Sequence, residues 1–458
     1  MHAMTQETVV LDAAEERVAD TQTAQSMVQR ALDAARAAGA DTAEAGASLS
    51  RALTVTVRNH EVESLQFQRD RDLALTVYCG QRMGSATTAD WSDDGLRAAA
   101  EAAVAIARAS GEDRCNGLPD AADMATAMPD LDLFHPWMAD ADSAVELARA
   151  CEQAGLDADT RIVQSEGATL DTGGGVTVLG NTHGFLGISA GTRHSLSCAV
   201  IARSGDDMQR DYWYTAGRVP AGLLAADVVG RRAGERAAAR LGASKISTRQ
   251  CPVLFPPELA RGLWGSLLGA ISGGALYRRA SFLLDRAGTR IAAPMVHLEQ
   301  QPFIRQAIAS AAFDEEGVAT QERVLVDEGV LQGYLLSTYS ARRLGLRSTG
   351  NAGGIFNLVA RPTTEHDLHG LAREMGEGLL VTELMGQGVN TVTGDYSRGA
   401  AGYLVRGGEI CEPVDEITVA GNMLDMLEQV QAVGADVDVS GGVRTGSVLI
   451  GRMTVAGD

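Results

Sequence analysis

Residues Gly378–Asp425 read GLLVTELMGQGVNTVTGDYSRGAAGYLVRGGEICEPVDEITVAGNMLD, and this stretch is the most informative part of the chain. Its centre, GDYSRGA at Gly394–Ala400, places an acid, an aromatic ring, a hydroxyl and an arginine between glycines. Glycine beside such groups is typical of a tight turn, or of a backbone that another group approaches closely. The stretch therefore predicts sharp hairpins in an antiparallel sheet.

The same stretch supplies the candidate site. An aspartate and an arginine three residues apart can form a structural ion pair or a clamp for a peptide backbone or carboxylate. No histidine or other activating base lies nearby in the sequence, so nucleophilic chemistry at the serine has no mechanism. Both a structural turn and a substrate or subunit contact remain open. The candidate substrate-binding residues are Asn390, Asp395, Tyr396, Ser397, Arg398 and Gly399.

Working outward, residues 250–457 form the predicted C-terminal domain. Helical segments are expected at 256–275, 365–378 and 423–433, and glycines recur every few residues between them. This density of glycine suits hairpins and bulges in a partly closed sheet. The fold class predicted for the whole chain is α+β.

The predicted N-terminal domain covers residues 22–242. Alanine-rich Ala24–Ala38 predicts a helix, and residues 1–20 lack periodicity and are expected to be mobile. Residues 42–88 alternate in the segments LTVTV, VESLQFQ, LALTVYC and RMGSATT, which indicates a meander of antiparallel strands. A helix follows at 93–109. The same order returns later in the chain, which predicts a duplication of 22–110 by 141–242.

Composition narrows the class of protein. The chain has 458 residues and a formal net charge of −20, from 59 acids and 39 bases. Such a surface repels a phosphate backbone, so direct nucleic-acid binding is not expected. No apolar run reaches 18 residues, so no membrane span is expected, and the acidic start predicts a cytoplasmic protein. The six cysteines contain no CxxC pair, which excludes a zinc knuckle or thioredoxin-like motif.

Several short motifs have a structural explanation that we prefer. His60-Glu61 has no second histidine at metal-binding spacing, and His366 with His369 follows a proline at an exposed helix start. GISAG at Gly187–Gly191 matches the serine-hydrolase pattern, but the residues after it alternate like a strand rather than a helix. GQG at Gly386–Gly388 lacks the third glycine of a dinucleotide-binding loop.

Besides GDYSRGA, four other segments of the chain carry a resemblance, and they occur in one fixed order. The ordered set resembles the TldD/PmbA family of two-subunit cytoplasmic metallopeptidases, on the PmbA (TldE) side. The segments are GQRMGSATTADW (Gly80–Trp91), LGAISGGALYRRASFLLD (Leu268–Asp285), AFDEEGVATQ (Ala312–Gln321) and LLSTYSARRLGLRSTGNAGG (Leu335–Gly354).

The resemblance implies where a metal site would lie and that this chain lacks it. In TldD subunits an HExxxH helix and a downstream cysteine hold zinc, and the glutamate acts as general base. The corresponding positions fall near Leu267–Gly274 and Arg444–Gly446, where no such ligand occurs. The resemblance thus implies a non-catalytic subunit without a cofactor of its own, with the zinc in a TldD-like partner.

The resemblance also implies a substrate class. The complex would admit only unfolded peptide, bound by strand addition, for which the glycine-rich Gly386–Gly402 is suited. Family roles include leader-peptide trimming and antitoxin degradation, and a link to DNA gyrase as a modulator has been proposed. Two alternatives stay open: a stand-alone peptidase homodimer with an unrecognised site, and a non-enzymatic regulatory protein linked to gyrase or a toxin.

Overall fold

Long strands and alanine-rich helices build the first unit of the chain. The computed structural model describes residues 13–137 and 140–457. The hydroxyl of Ser92 accepts a hydrogen bond from the Gly95 amide and so caps the second helix. The unit comprises α1 (Ala13–Ala38), β1 (Thr42–Arg58), β2 (Glu61–Cys79), β3 (Arg82–Thr88) and α2 (Asp93–Ala109).

A second unit repeats the order helix, three strands, helix. It comprises α3 (Ala141–Leu156), β4 (Ile162–Asn181), β5 (Leu186–Ser204), β6 (Asp207–Gly217) and α4 (Ala226–Ala239). The six strands form one antiparallel sheet in the order β3-β2-β1-β4-β5-β6. At its centre β1 pairs with β4, so the two units meet edge to edge. The predicted fold class is confirmed; the exact domain boundaries stay predictions.

Small residues let the helices pack closely on one face of this sheet. Ala43, Ala45 and Ala47 of β1 are buried with α1 and α2, and Val55 and Val57 with α3 and α4. Helices α3 and α4 approach so closely that a Cβ atom on Gly230 would lie 1.9 Å from the Cys151 carbonyl oxygen. Such close approach explains how a chain with 4% aromatic residues fills its core.

Helix α1 begins earlier than predicted. It starts at Ala13, not Ala24, so the expectation of mobility is wrong for residues 13–20, while residues 1–12 lie outside the described part. The reason is tertiary: Arg51 of β1 lies 2.5 Å from Glu16 and 3.3 Å from Asp20, which draws the first turns onto the sheet. None of the described helices is both long and apolar enough to cross a membrane.

The C-terminal half is rich in short elements. All three predicted helices are shorter than expected: residues 256–275 break at Ile271–Ser272, the helix expected at 365–378 covers only Leu368–Met375, and residues 423–433 become a strand after Glu428. The elements are β7 (Arg249–Phe255), α5 (Pro257–Ala270), α6 (Gly273–Tyr277), β8 (Leu298–Gln300), β9 (Arg323–Asp327), β10 (Val330–Leu331), α7 (Thr338–Leu344), β11 (Leu358–Ala360), α8 (Leu368–Met375), β12 (Gly378–Met385), β13 (Asp395–Arg406), β14 (Glu409–Asn422), α9 (Met423–Glu428), β15 (Val430–Val433), β16 (Val443–Arg444) and β17 (Val448–Ala456).

The main C-terminal sheet closes on itself. Its strand order is β14-β13-β12-β7-β17-β15, and β14 also pairs with β17. Five strands therefore form a barrel, with β12 and β7 parallel and the other neighbours antiparallel. Helix α5 packs its buried face into the same core as the inward residues of these strands. A smaller sheet, β10-β9-β8-β11-β16, lies beside the barrel.

Helix α7 ties the two halves together. The Arg342 guanidinium donates hydrogen bonds to the carbonyl oxygens of Gly117 at 3.0 Å and Leu118 at 2.7 Å. The Tyr339 hydroxyl donates to Asp113 at 2.8 Å. These contacts anchor the loop between the two N-terminal units to the C-terminal half.

The turn between β1 and β2 is held by a fully buried carboxylate. Asn59 and His60 both have positive φ angles, 52° and 65°. Their backbone amides each donate a 2.8 Å hydrogen bond to Glu152 of α3, which is 0% exposed. His60-Glu61, considered above as a metal motif, thus lies in a tight turn that α3 supports.

Replacing Glu152 by alanine should lower the free energy of unfolding by about 2–4 kcal/mol, because two hydrogen bonds to a charged acceptor are lost. Urea denaturation followed by circular dichroism measures this. Glu152→Gln keeps one acceptor oxygen and should fall between the wild type and the alanine variant. Equal stability of all three proteins would contradict this role for Glu152.

Candidate functional site

The loop between β12 and β13 is shaped by Asn390. Its side-chain oxygen accepts a hydrogen bond from the Val392 amide at 2.9 Å, and its backbone oxygen accepts one from the Gly394 amide at 2.8 Å. The backbone N–H of Asn390 donates a hydrogen bond to the Asp395 carbonyl oxygen at 2.9 Å. Asn390, which is predicted to contact substrate, therefore stabilises the conformation of this loop through its hydrogen bonds.

Gly388 shows why this region needs glycine. Its carbonyl oxygen accepts a 2.7 Å hydrogen bond from the Ser397 amide. A Cβ atom on Gly388 would lie 1.6 Å from the Ser397 carbonyl oxygen. No side chain fits there without breaking the hairpin.

Asp395 and Ser397 lie on the exposed side of β13. The Asp395 carboxylate accepts hydrogen bonds from the Thr393 hydroxyl at 2.6 Å and from the Asn422 amide at 3.4 Å. Both side chains remain open to solvent and can meet a bound molecule.

Tyr396 and Arg398 lie on the other, inward side. Tyr396 is 3% exposed, and burial raises its pKa to about 12, partly offset by the Arg398 charge beside it. Arg398 donates a hydrogen bond to the Leu384 carbonyl oxygen at 3.3 Å. Within the described residues, the Tyr396 hydroxyl and the Arg398 Nε have no partner in hydrogen-bonding geometry. Asp395 and Arg398, considered above as an ion pair or a clamp, face opposite sides of the strand, because residues of opposite parity do so.

Strand addition to β13, which contains residues 395–402 of Gly386–Gly402, is blocked by the sheet. Strand β13 pairs with β14 on one side and with β12 and the hairpin loop on the other. Gly399, for example, lies opposite Met385 on one side and Thr418 on the other. A peptide cannot add to a strand whose two edges are already paired. Recognition here would depend on the exposed side chains.

A cleft of about 550 Å³ opens at the break between α5 and α6. The Ser272 hydroxyl caps α6 by accepting a hydrogen bond from the Ala275 amide. A Cβ atom on Gly273 would lie 2.2 Å from the Ser340 hydroxyl oxygen, so α6 and α7 meet through glycine. The lining residues are Leu268, Gly269, Ser272, Gly273, Gly274, Leu335, Ser337, Ser340, Asn351, Ala352, Gly353, Gly354 and Ile355.

The chemistry that this cleft can perform is limited. Its described lining offers hydroxyls, one amide side chain and backbone groups, but no carboxylate, imidazole, thiol or amine. Zinc in proteins is held by imidazole, thiolate or carboxylate. Across residues 13–137 and 140–457, no group of three or more His, Cys, Asp or Glu is placed to hold a metal ion. The residues present therefore do not fit a zinc ion.

Helix α5, just before the segment Leu267–Gly274, is hydrogen-bonded to the second segment that the resemblance assigned to a zinc ligand, Arg444–Gly446. Trp264 of α5 is 0% exposed, and its indole Nε1 donates a 2.9 Å hydrogen bond to the Thr445 hydroxyl. Thr445 is also fully buried and donates to the Gly446 carbonyl oxygen at 3.0 Å. A tryptophan and a threonine occupy this part of the core.

A cluster of carboxylates escaped the sequence reasoning. Burial, with the charges of Glu316 and Asp314, raises the pKa of Glu44 to about 7. Burial likewise raises the pKa of Asp314 to about 7, although the Ala352 amide donates a 2.9 Å hydrogen bond to it. Asp314 belongs to the quoted segment AFDEEGVATQ, but Glu44 is remote in sequence. No local sequence pattern could have predicted that Glu44 and Asp314 lie close together.

The remaining motifs lie apart from this site. Ser189 of GISAG lies within β5, which continues as a strand after it, so it is not at a strand-to-helix turn. His194 is buried and bonded to the Thr172 hydroxyl at 2.7 Å, and burial lowers its pKa. His366 and His369 are exposed around the start of α8. Each of these residues has a structural explanation.

Family models identify the class of protein that has this fold: PmbA/TldA metallopeptidase domain 1 matches residues 43–107, the central domain 134–241 and the C-terminal domain 248–457. The chain belongs to the PmbA/TldD metallopeptidase family.

Two relatives and one solved structure support this membership, and a second solved structure shares the fold. The chain is 46% identical to the metalloprotease PmbA of Escherichia coli O157:H7, over 88% of this chain and 90% of the relative. It is 45% identical to a PmbA homolog of Haemophilus influenzae, over 89% and 90%. A Bacteroides thetaiotaomicron protein, named as a candidate modulator of DNA gyrase, superposes with a TM-score of 0.90 at 28% identity, over 95% of this chain and 99% of that one. TldE of Thermococcus kodakarensis shares the fold, with a TM-score of 0.82 at 21% identity, over 94% and 100%.

Proposed function

We propose that this chain is the non-catalytic subunit of a two-subunit metallopeptidase that acts on unfolded peptides. Its partner would be an HExxxH-bearing relative that carries the zinc ion. The observation that supports this most is the cleft at the α5–α6 break, which lies where the resemblance puts the zinc helix and offers no metal ligand.

The physical argument concerns what a zinc peptidase needs. Such an enzyme requires ligands for the metal and a base for the metal-bound water. Hydroxyls and backbone amides supply neither. The Trp264–Thr445 hydrogen bond of 2.9 Å links α5 to the segment Arg444–Gly446 and uses no metal-ligating side chain. The chain's contribution would therefore be to hold peptide and to complete the enclosure around the partner's site.

The hairpin that ends at GDYSRGA would contact the peptide. Asp395 and Ser397 present a carboxylate and a hydroxyl on its exposed side. Asn390 and Gly399 would keep the hairpin in shape, and Tyr396 with Arg398 would support it from within. Binding would then rest on side-chain hydrogen bonds rather than on an added strand.

The direct test combines metal content with peptide hydrolysis. The purified chain, the HExxxH relative from the same genome, and their mixture are assayed for zinc by elemental mass spectrometry and for cleavage of an unfolded peptide. We expect near-zero zinc and no cleavage for this chain alone, and the highest cleavage for the mixture. About one zinc per chain with cleavage by the chain alone would overturn the proposal in favour of a stand-alone peptidase. Cleavage by the relative that this chain does not increase would favour a regulatory role.

Within the complex, Arg398→Ala should lower kcat/KM for the peptide about tenfold or more while the complex still assembles. The reason is that Arg398 supports the hairpin from within, donating to the Leu384 carbonyl oxygen at 3.3 Å, so its loss would displace the exposed Asp395 and Ser397 from the peptide, and a small displacement has an effect of this size. The matched control is Arg406→Ala, on the same strand but exposed and paired with Glu412 at 2.8 Å. Unchanged turnover by the Arg398 variant in an intact complex would remove this residue from the site.

A further inference from the structure

The six-stranded sheet has one face without helices, here called the open face. Val176 and Val178 of β4 are buried against α1 and α2, so the residues of the other parity, such as Gly173 and Gly175, face away from the helices. A cavity of about 600 Å³ lies over the open face. Its volume is in the range of ligand-binding sites in proteins.

Glycines form the floor of this cavity. In the pairing of β4 with β5, Gly175 lies opposite Gly191 and Gly173 lies opposite Arg193. A Cβ atom on Gly191 would lie 2.5 Å from Nη1 of Arg218, so the Arg218 guanidinium occupies the space that a side chain would fill. Two arginines therefore line one cavity, Arg193 from β5 and Arg218 from the segment after β6.

Arg218 is held in place by backbone carbonyls. Its guanidinium donates hydrogen bonds to the carbonyl oxygens of Thr192 at 3.0 Å, Ala307 at 2.9 Å and Ile308 at 2.6 Å. These bonds use only part of the N–H donors of a guanidinium and bring no negative charge. Burial and the nearby charge of Arg193 lower the pKa of Arg218, and no carboxylate among the described residues pairs with it.

Arg193 is exposed, and its side chain has no hydrogen-bond or ion-pair partner in residues 13–137 and 140–457. The carboxylate nearest to it in the register is Asp171, which lies opposite Ser195. Asp171 accepts hydrogen bonds from the hydroxyls of Thr54 at 2.7 Å and Ser195 at 3.5 Å. In the register it lies on the far side of Arg193 from Gly191, so it does not separate the two arginines.

We propose that the open face carries a carboxylate-binding subsite for the peptide, in which Arg193 and Arg218 hold one carboxylate over the glycine floor. Two guanidinium groups without a counter-ion repel each other, and a bound anion offsets this cost. A carboxylate suits them because its two oxygens accept hydrogen bonds from the guanidinium fork. The glycines leave room for the peptide backbone. A C-terminal carboxylate and an acidic side chain both supply this chemistry. The inference rests on the proposed function in taking a peptide as the ligand.

Isothermal titration calorimetry on the purified full-length chain tests the subsite, at about 50 mM salt, where screening is weak. Three N-acetylated peptides share one unfolded, Gly/Ser-rich sequence. The first has a free C-terminus and a central glutamine, the second is amidated with a central glutamate, and the third is amidated with a central glutamine. We expect the third peptide, which has no carboxylate, to bind about tenfold more weakly than the better of the other two. The better peptide identifies the source of the carboxylate.

The variant Arg193→Gln should remove this preference, and it should leave the fold intact because the side chain is exposed and unpartnered. Arg203→Gln is the matched control, because Arg203 is exposed on β5 with the same parity but about 33 Å further along the strand. Arg218→Lys keeps the charge without the fork and should reduce the preference in part.

Three results would each overturn the subsite: no binding of any peptide, equal binding of all three, or a preference that Arg193→Gln leaves unchanged. Binding is measured without the partner and without cleavage. Failure of the subsite is therefore distinguishable from failure of the proposed peptidase role, which the zinc and cleavage assays test.

Discussion

Replacing Trp264 by alanine is expected to lower the free energy of unfolding by about 3–5 kcal/mol, the range for a buried aromatic side chain. Trp264 is 0% exposed and lies in the C-terminal core between α5 and the barrel strands. Its removal would leave a large cavity and deprive the buried Thr445 hydroxyl of its donor. Urea unfolding, followed by circular dichroism, measures the change.

The variant Thr445→Val separates the contribution of the hydrogen bond from that of the packing of the tryptophan ring. It keeps the tryptophan ring but leaves the indole Nε1 without an acceptor, so the expected loss is about 1–3 kcal/mol. A loss for the Trp264 variant no larger than for the Thr445 variant would show that the ring does not fill the core as described. Both losses should be present in the isolated chain, because this part of the core lies within one subunit.

Glu44→Gln is expected to stabilise the protein at pH 8 and to have little effect at pH 5. Glu44 of β1 is half-buried near Asp314, Glu316 and Tyr78. Burial, then the charges of Glu316 and Asp314, raises its pKa from 4.5 to about 7. Burial raises the pKa of Tyr78 as well, with the charge of Glu44 adding to the shift and that of Arg342 opposing it.

The direction of the effect follows from proton binding. Between pH 4.5 and about 7, the folded chain holds a proton on Glu44 that the unfolded chain has lost. Stability therefore falls as the pH rises through this window and stays low above it. The folded protein would be roughly 3 kcal/mol less stable at pH 8 than with Glu44 protonated, and glutamine removes this loss.

Urea unfolding of the wild type and the variant at pH 5 and pH 8 measures the difference. Glu112→Gln, at a carboxylate that is 67% exposed, controls for the loss of one negative charge. A stabilisation of the same size at both pH values would mean that ionisation of Glu44 is not its cause. Asp314, whose pKa is also raised to about 7, adds to the same pH dependence in both proteins.

Much of the fold was readable from the sequence. Alternation in the segments from Leu53 to Thr88 predicted the meander, because one face of each strand is buried. The segments VESLQFQ and LALTVYC merge into one long β2, since charged residues between them do not end a strand whose edge faces solvent. The start of α1 was missed because Glu16 and Asp20 are held by Arg51, a contact that no local pattern shows.

The sequence predicted where the candidate site lies, but it did not predict how the side chains of the site are oriented. Glycine density marked the hairpin, and Gly388 proves to be required by the backbone of Ser397. Asp395 and Arg398, considered above as an ion pair or a clamp, face opposite sides of β13 because they have opposite parity on the strand. Strand addition to β13 is blocked because β14 pairs with one edge, and β12 with the hairpin loop pairs with the other.

The sequence by itself determined the strand and turn pattern, the duplicated order of elements and the absence of an HExxxH motif, since these depend on residues near one another in the chain. Only the tertiary structure decided which groups meet across long separations. Trp264 reaches Thr445, and Glu44 lies near Asp314. The physical reason is that such contacts, and the pKa shifts that follow from burial, arise only when the barrel closes and the two halves pack together.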